Sequence, residues 1–267
     1  MFLLHRLLLS LLLLSSLTFL SACSSDDEDE ENDPVEAADV LYNKARKTFD
    51  EQDYKEAIKQ FDEVERVHPY SEWAPRSQIM SAYASYRSRK YDDAILTLER
   101  FVKLHPGNES APYAYYMIAQ CYYEQISDVG RDQGMTEKAL KSLRDVIKRF
   151  PNTEYARDSK LKLDLTIDHL AGKEMMVGMY YLERKEYISA ATRFKNVIDK
   201  YQTTSHTPEA LHRLVETYML LGVETEAKRY AAVLGHNFPG SEWYRRSYAL
   251  LENKQPPKEK GWMEKIF

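Results

Sequence analysis

The sequence predicts an all-α protein, a superhelical solenoid of about five helix-turn-helix repeats, and three observations carry that prediction. The first is a spacing: Ala57, Ala94, Ala139 and Ala227 are each followed twelve residues later by a proline, at Pro69, Pro106, Pro151 and Pro239. The second is a small or modest residue, Ala45, Ala82, Gly178 or Val215, twelve positions before Ala57, Ala94, Ala190 and Ala227. The third is composition: 30% charged and 43% apolar residues with only 9 Gly and 10 Pro, a helix-leaning balance for a folded chain of 267 residues. A helical hairpin needs small side chains where its two backbones come close, and a proline past the second helix cannot continue it. Small residue, alanine and proline in register therefore encode helix, turn, helix and stop. One hairpin leaves a face it cannot bury alone, so neighbours stack and create a concave side.

Taken in chain order, residues 1–22 read as an export signal, with His5-Arg6, eleven leucines between positions 3 and 20, and the small residues Ser21-Ala22. The apolar run is short for a membrane span, which takes roughly 20 residues. Leu20-Ser21-Ala22-Cys23 resembles the lipobox of bacterial lipoproteins. That resemblance implies cleavage before Cys23, a diacylglycerol on its thiol and an acyl group on its new amino terminus; several chains anchor a protein stably. The alternatives are a plain secretory signal with a coincidental cysteine, or a single transmembrane anchor. Ser24, where an Asp would imply retention in the inner membrane, points to the outer membrane. With Cys23 acylated, Cys121 is the remaining thiol and no internal disulfide forms. Residues 23–36 then form a tether whose Asp26–Asp33 stretch holds seven acids in eight residues. Like charges this dense extend the chain, and the 13 residues 24–36 reach roughly 45 Å at ~3.6 Å each.

The solenoid covers 37–252, with repeats at 37–70, 71–107, 108–152, 153–203 and 204–240 and a capping helix. Repeat one carries Asp53-Tyr54-Lys55-Glu56-Ala57-Ile58, and repeat two the matching Lys90-Tyr91-Asp92-Asp93-Ala94-Ile95. In repeat three the interval from Ala119 to Ala139 is 20 rather than 12, so Asp128–Gly134 falls in a polar loop, a kind of segment that often touches partners. The helical pattern then runs unbroken from Glu154 to Arg184, predicting one long or kinked helix between repeats three and four. Repeat four carries Glu186-Tyr187-Ile188-Ser189-Ala190-Ala191 and has Gln202 where others have proline, with Pro208 opening the next helix. Repeat five carries Glu224-Thr225-Glu226-Ala227. Residues 253–267 hold Pro256-Pro257, several lysines and the apolar Trp262-Met263 and Ile266-Phe267, either a flexible tail or a short apolar plug for a partner.

The net charge of −5, from 37 Lys+Arg against 42 Asp+Glu, argues against a nucleic-acid binder, which needs a basic patch. No G-x-S-x-G, P-loop or G-x-G-x-x-G is present, so no catalytic set and no enzyme is expected. His206, Glu209 and His212 come nearest to a metal triplet, but Pro208 starts a helix after His206 and no metal site is expected. His68 and His105 precede repeat-ending prolines at equivalent positions and read as architectural.

The repeat pattern resembles the tetratricopeptide repeat (TPR). With its small residue as position 8 of each first helix, that resemblance places positions 2, 5, 9, 12 and 13 on the concave surface. These hold Tyr42, Arg46 and Phe49 in repeat one; Arg76, Ile79, Tyr83, Tyr86 and Arg87 in repeat two; and Tyr113, Tyr116 and Tyr123 in repeat three. In repeats four and five they include Met175, Met179, Leu182, Glu183, Glu209, His212, Glu216 and Met219. An aromatic wall with arginines suits an extended peptide carrying aromatic side chains, and an arginine pairs a carboxylate bidentately. The alternative is that these tyrosines are core. In repeat two the usual core positions are Gln78, Ser81 and Ser85, which would favour a rotated helix burying Ile79, Tyr83 and Tyr86.

The whole chain, from the lipobox through repeat five, resembles the BamD (ComL/YfiO-like) family. The most specific matches are Leu41-Tyr42 through Ala57-Ile58 with Phe61, His68-Pro69-Tyr70-Ser71, Phe150-Pro151-Asn152-Thr153, His169-Leu170-Ala171 through Arg184, and Ala191-Thr192-Arg193-Phe194. The resemblance implies a non-enzymatic lipoprotein scaffold of the β-barrel assembly machinery, on the periplasmic face of a Gram-negative outer membrane. No cofactor is implied beyond the lipid on Cys23. The implied partners are BamA periplasmic domains at the C-terminal repeats, other Bam lipoproteins, and the C-terminal segments of unfolded outer-membrane proteins at the N-terminal repeats. Arg193 stands where the family carries an arginine linked to the BamA contact; as an exposed helix residue it also suits an ordinary i, i+4 ion pair. The alternative function is a periplasmic TPR adaptor of the Tol system or of cell-wall enzymes.

Overall fold

A computed structural model describes residues 36–252. The export signal, Cys23, all but the last residue of the acidic tether, and the tail at 253–267 lie outside the described residues. Ten helices alternate as five antiparallel hairpins: α1 (Ala38–Asp50) with α2 (Tyr54–Val67), α3 (Trp73–Arg87) with α4 (Tyr91–Leu104), α5 (Ala111–Glu124) with α6 (Gly134–Arg149), α7 (Glu154–Glu183) with α8 (Tyr187–Lys200), and α9 (Thr207–Leu220) with α10 (Glu224–Asn237). A last helix, α11 (Glu242–Leu251), lies against α9 and α10. Each helix packs on the next in the chain, and α1 with α3, α5 with α7 and α9 with α11 pack side by side. No strand occurs among the described residues. No described helix is long and apolar enough to cross a membrane.

The register explains the packing. Ala45, Ala57, Ala82, Ala94, Ala119, Ala139, Ala190 and Ala227 are all buried. Four residues after the second-helix alanine comes a fully buried Phe61, Leu98, Leu143 or Phe194, and seven after it Val64, Phe101, Val146, Val197 or Leu234. This is one face of a 3.6-residue helix. Where the fourth hairpin has Gly178 instead of alanine, a Cβ would lie 2.5 Å from the Phe194 ring, so the glycine makes room for the aromatic. Second helices end at His68, His105, Phe150, Tyr201 and Phe238, whose N–H groups donate to the carbonyls of Val64, Phe101, Val146, Val197 and Leu234. In four hairpins the turn passes through a left-handed residue: Gln52 (φ 65°), Arg89 (φ 60°), Lys185 (φ 64°) and Gly222 (φ 75°).

The third hairpin differs. Its longer connection, between Glu124 and Gly134, is tied internally by Gln133 Nε2 donating to Arg131 O at 3.0 Å and by Asp128 accepting from Gly130 N at 2.7 Å. Lys173 of α7 donates to Gly130 O at 3.1 Å, so the loop rests on α7. That helix runs for 30 residues, capped by the Thr153 hydroxyl accepting from Ala156 N at 3.2 Å.

The structure decides one open alternative and corrects two concave-face assignments. Helix α3 is not rotated: Gln78, Ser81 and Ser85 are buried while Ile79, Tyr83 and Tyr86 are half-buried. Polar residues are tolerated there because α2 presents acids: Ser81 Oγ donates to Asp62 at 2.7 Å, Gln78 donates to Glu65, and Arg100 of α4 meets Glu65 at 2.7 Å. Burial holds the Asp62 carboxyl above its ordinary range, against the Ser81 hydrogen bond. In repeats four and five, Met175 and His212 are buried rather than concave. Helix α11 covers His212, whose Nδ1 lies 2.8 Å from Ser247 Oγ. His206, at the N-cap of α9, instead approaches Asp168 at 3.6 Å, and no group of His, Cys, Asp or Glu among the described residues is arranged to hold a metal.

Candidate functional site

The tyrosines counted onto the concave face come together as a run of rings from α1 to α7. Tyr42 lies 5.6 Å from Phe61 and 4.8 Å from Trp73, centroid to centroid, and Arg76 sits 5.0 Å over Trp73. Phe49 touches Tyr54 at 5.3 Å and Tyr83 at 5.5 Å. At 8% exposure Phe49 belongs to the core between α1, α2 and α3 and is not a groove wall. Tyr83 and Tyr86, one turn apart on α3, have near-parallel rings 6.3 Å apart, and Tyr113 of α5 packs into the same cluster. Tyr155 of α7 closes the run, 5.7 Å from Tyr113 and 5.3 Å from Tyr116.

The far end carries a polar clasp. Tyr116 Oη donates to Asp158 at 2.8 Å, Lys162 pairs with the same carboxylate, and the ammonium lies 5.7 Å from the Tyr116 ring and 5.8 Å from Tyr123. Desolvation raises the Tyr116 phenol well above its usual range, and the Asp158 charge adds to that. Burial works against ionisation of Asp158, but hydrogen bonds from Lys162 and Tyr116 outweigh it and hold the carboxyl low. Tyr155, Asp158 and Lys162 share one face of α7 at intervals of three and four residues. None of the three was legible as a site residue, because all lie in the N-terminal half of α7, well before the positions counted from Gly178.

The three arginines counted onto the concave positions of repeats one and two are not equivalent. Arg46 is held by Asp50 at 3.2 Å and Arg76 by Glu72 at 3.7 Å. Arg87 has no carboxylate partner among the described residues; its guanidinium lies over Tyr54 at 5.2 Å and Tyr83 at 5.9 Å. It is the cation of this wall most open to an incoming carboxylate. Tyr42, Tyr83, Tyr86, Tyr113, Tyr116 and Tyr123 are all half-buried.

Arg193 stands apart, on α8. Its Nη1 lies 3.4 Å from both carboxylate oxygens of Glu174 on α7, which also accepts from Asn196 Nδ2 at 3.0 Å. The pair thus bridges two helices rather than lying i, i+4 on one.

Comparison with known families matches residues 34–234 to YfiO, described as an outer membrane lipoprotein. The chain is 53% identical over 223 residues to the outer membrane protein assembly factor BamD of Caulobacter vibrioides, covering 84% of this chain and 72% of that one. It is 47% identical over 248 residues to BamD of Rickettsia prowazekii, covering 93% and 98%. With BamD of Neisseria meningitidis serogroup A it shares 31% identity over 242 residues, 86% of this chain and 91% of that one.

Proposed function

The chain belongs to the YfiO family of outer membrane lipoproteins, the BamD assembly factors, and from that membership we propose that it works as a lipid-tethered adaptor with two separate binding surfaces. It is an outer membrane protein assembly factor and not an enzyme. In the proposal, Cys23 carries the lipid and the acidic tether holds the repeats on the periplasmic side. The aromatic wall of repeats one to three takes extended, aromatic-rich C-terminal segments of unfolded outer-membrane proteins, with Arg87 on the carboxylate. The surface of repeat four around Arg193, with repeat five, receives the periplasmic domains of BamA, and other Bam lipoproteins join the same assembly. Holding substrate and barrel catalyst on one rigid body raises their effective concentration, with no chemistry required of the adaptor.

The observation that carries this reading is the run of half-buried rings from Tyr42 to Tyr155, with an arginine lying over it that no acid among the described residues neutralises. Titrating a fluorescent ten-residue peptide from the C-terminus of a barrel protein tests it. Arg87→Ala should weaken binding about tenfold, the loss of a charge-assisted pair worth ~1.5 kcal/mol. Tyr83→Ala should weaken it similarly through lost stacking. A peptide amide should bind the native chain and Arg87→Ala alike. Unchanged affinity in both variants, with helicity intact, would remove the groove from the proposal.

A further inference from the structure

Helix α7 is about twice as long as the helices around it, and its partner α8 covers only the C-terminal half. The turn after α8 crosses α7 at Asp168, whose carboxylate accepts from Ser205 N at 3.1 Å and Ser205 Oγ at 2.8 Å. N-terminal to that crossing, Leu161 and Leu165 stand one turn apart on the same side of α7, 68% and 61% exposed. With Asp164, Ile167, Asp168 and Thr204 they line a recess of about 620 Å³. Asp168 is engaged by Ser205 and His206, whereas Asp164 makes no ion pair among the described residues. The recess is apolar at its centre, acidic at its rim, and bounded by the turn that leads into α9.

We infer that this recess is the docking site of the chain's own residues 258–267. That stretch supplies the complementary chemistry: Trp262, Met263, Ile266 and Phe267 recur at i, i+1, i+4 and i+5, and Lys258, Lys260 and Lys265 interleave them. Two leucines at i, i+4 accept such an apolar pair, and Asp164 accepts a lysine. The reach suffices. Ten residues, 252–261, separate the end of α11 from Trp262 and span up to ~35 Å when extended; Pro256-Pro257 favours that extension. Helix α11 lies along α9 through Ser247 and His212, and α9 starts from the turn that edges the recess. Docking there would cover the overhang of α7 and fasten the last helix to the middle of the molecule.

Maleimide labelling of Leu165→Cys in the full chain tests this. Cys121 is buried with its thiol pushed up to about 12 by burial, so it does not compete. Adding Trp262→Ser and Phe267→Ser should speed labelling about fivefold, the factor a docked fraction of about four-fifths implies. Asp164→Lys should speed it likewise, and Leu161→Cys should report the same change should a cysteine at 165 itself weaken docking. A cysteine at exposed Leu96 on α4 should label at one rate throughout. Equal rates at both reporters with and without the tail substitutions would overturn the proposal. Protection that disappears on dilution would also overturn it, by assigning the recess to a second copy.

Discussion

At the scale of single residues, Arg193 separates a structural role from a partner role. Its guanidinium is 40% exposed and its link to Glu174 joins α7 to α8, an arrangement worth less than ~1 kcal/mol at such exposure. Arg193→Glu alone confounds two effects, because it sets a second acid against Glu174. The charge swap Arg193→Glu with Glu174→Arg keeps an inter-helix pair while reversing the charge offered to a partner. The swapped chain should melt within about 2 °C of the original, as expected for a pair of this size. If the arginine contacts BamA, the swap should still abolish co-purification from detergent extracts. Full recovery of BamA with the swap, and loss with Arg193→Glu alone, would assign the residue to the α7–α8 pair. The sequence supplied Arg193 only through family resemblance; nothing in its own spacing identifies Glu174, nineteen residues away, as its partner.

At the scale of elements, what was legible follows from what is local. The alanine-proline register located the hairpins because close backbone approach and helix arrest each act through one residue type. The turns were not legible in the same way. Gln52, Arg89 and Lys185 occupy the left-handed position that Gly222 fills in repeat five, without the residue that signals it. A non-glycine residue there costs roughly 1 kcal/mol. Lys185→Gly should therefore raise stability by about 0.5 kcal/mol, after the extra freedom of the unfolded chain is subtracted. Urea unfolding should show a higher midpoint at unchanged slope; a lower midpoint would mean that the lysine stem contributes more than its backbone costs. The same locality explains the failed rotation of α3. Ser81 and Gln78 look unfit for a core until Asp62 and Glu65 arrive from α2, and no single-helix count contains that information. Likewise Tyr155, Asp158 and Lys162 come from the half of α7 that lies outside the repeat period, so the count that picked out Tyr116 could not show the clasp on it.

At the scale of the whole solenoid, stability is a sum over neighbouring hairpins, and the last hairpin depends on its cap. Helix α11 has ten residues and meets α9 at a buried polar contact, His212 to Ser247, beneath Trp243. Arg213 and Arg246 lie 5.5 and 5.1 Å from the Trp243 ring, and Glu209 and Glu216 are both taken up by Arg213. Burial first, then the two arginines, depresses His212 to about 4 from 6.5. A histidine with a lowered folded pKa keeps its full contribution above the unfolded value and loses it as pH falls from about 6.5 toward 4, because the unfolded state binds the proton first. By pH 5 the loss is about 2 kcal/mol. Hydrogen exchange across Glu242–Leu251 should accelerate steeply between pH 7 and pH 5, after correction for intrinsic rates, while α2 and α4 stay protected. His212→Gln keeps a side chain able to bond Ser247 and removes the titration, so its cap should open by the same amount at both pH values. If the glutamine variant retains the native pH slope, the acid sensitivity of the cap arises elsewhere and His212 is only a packing residue.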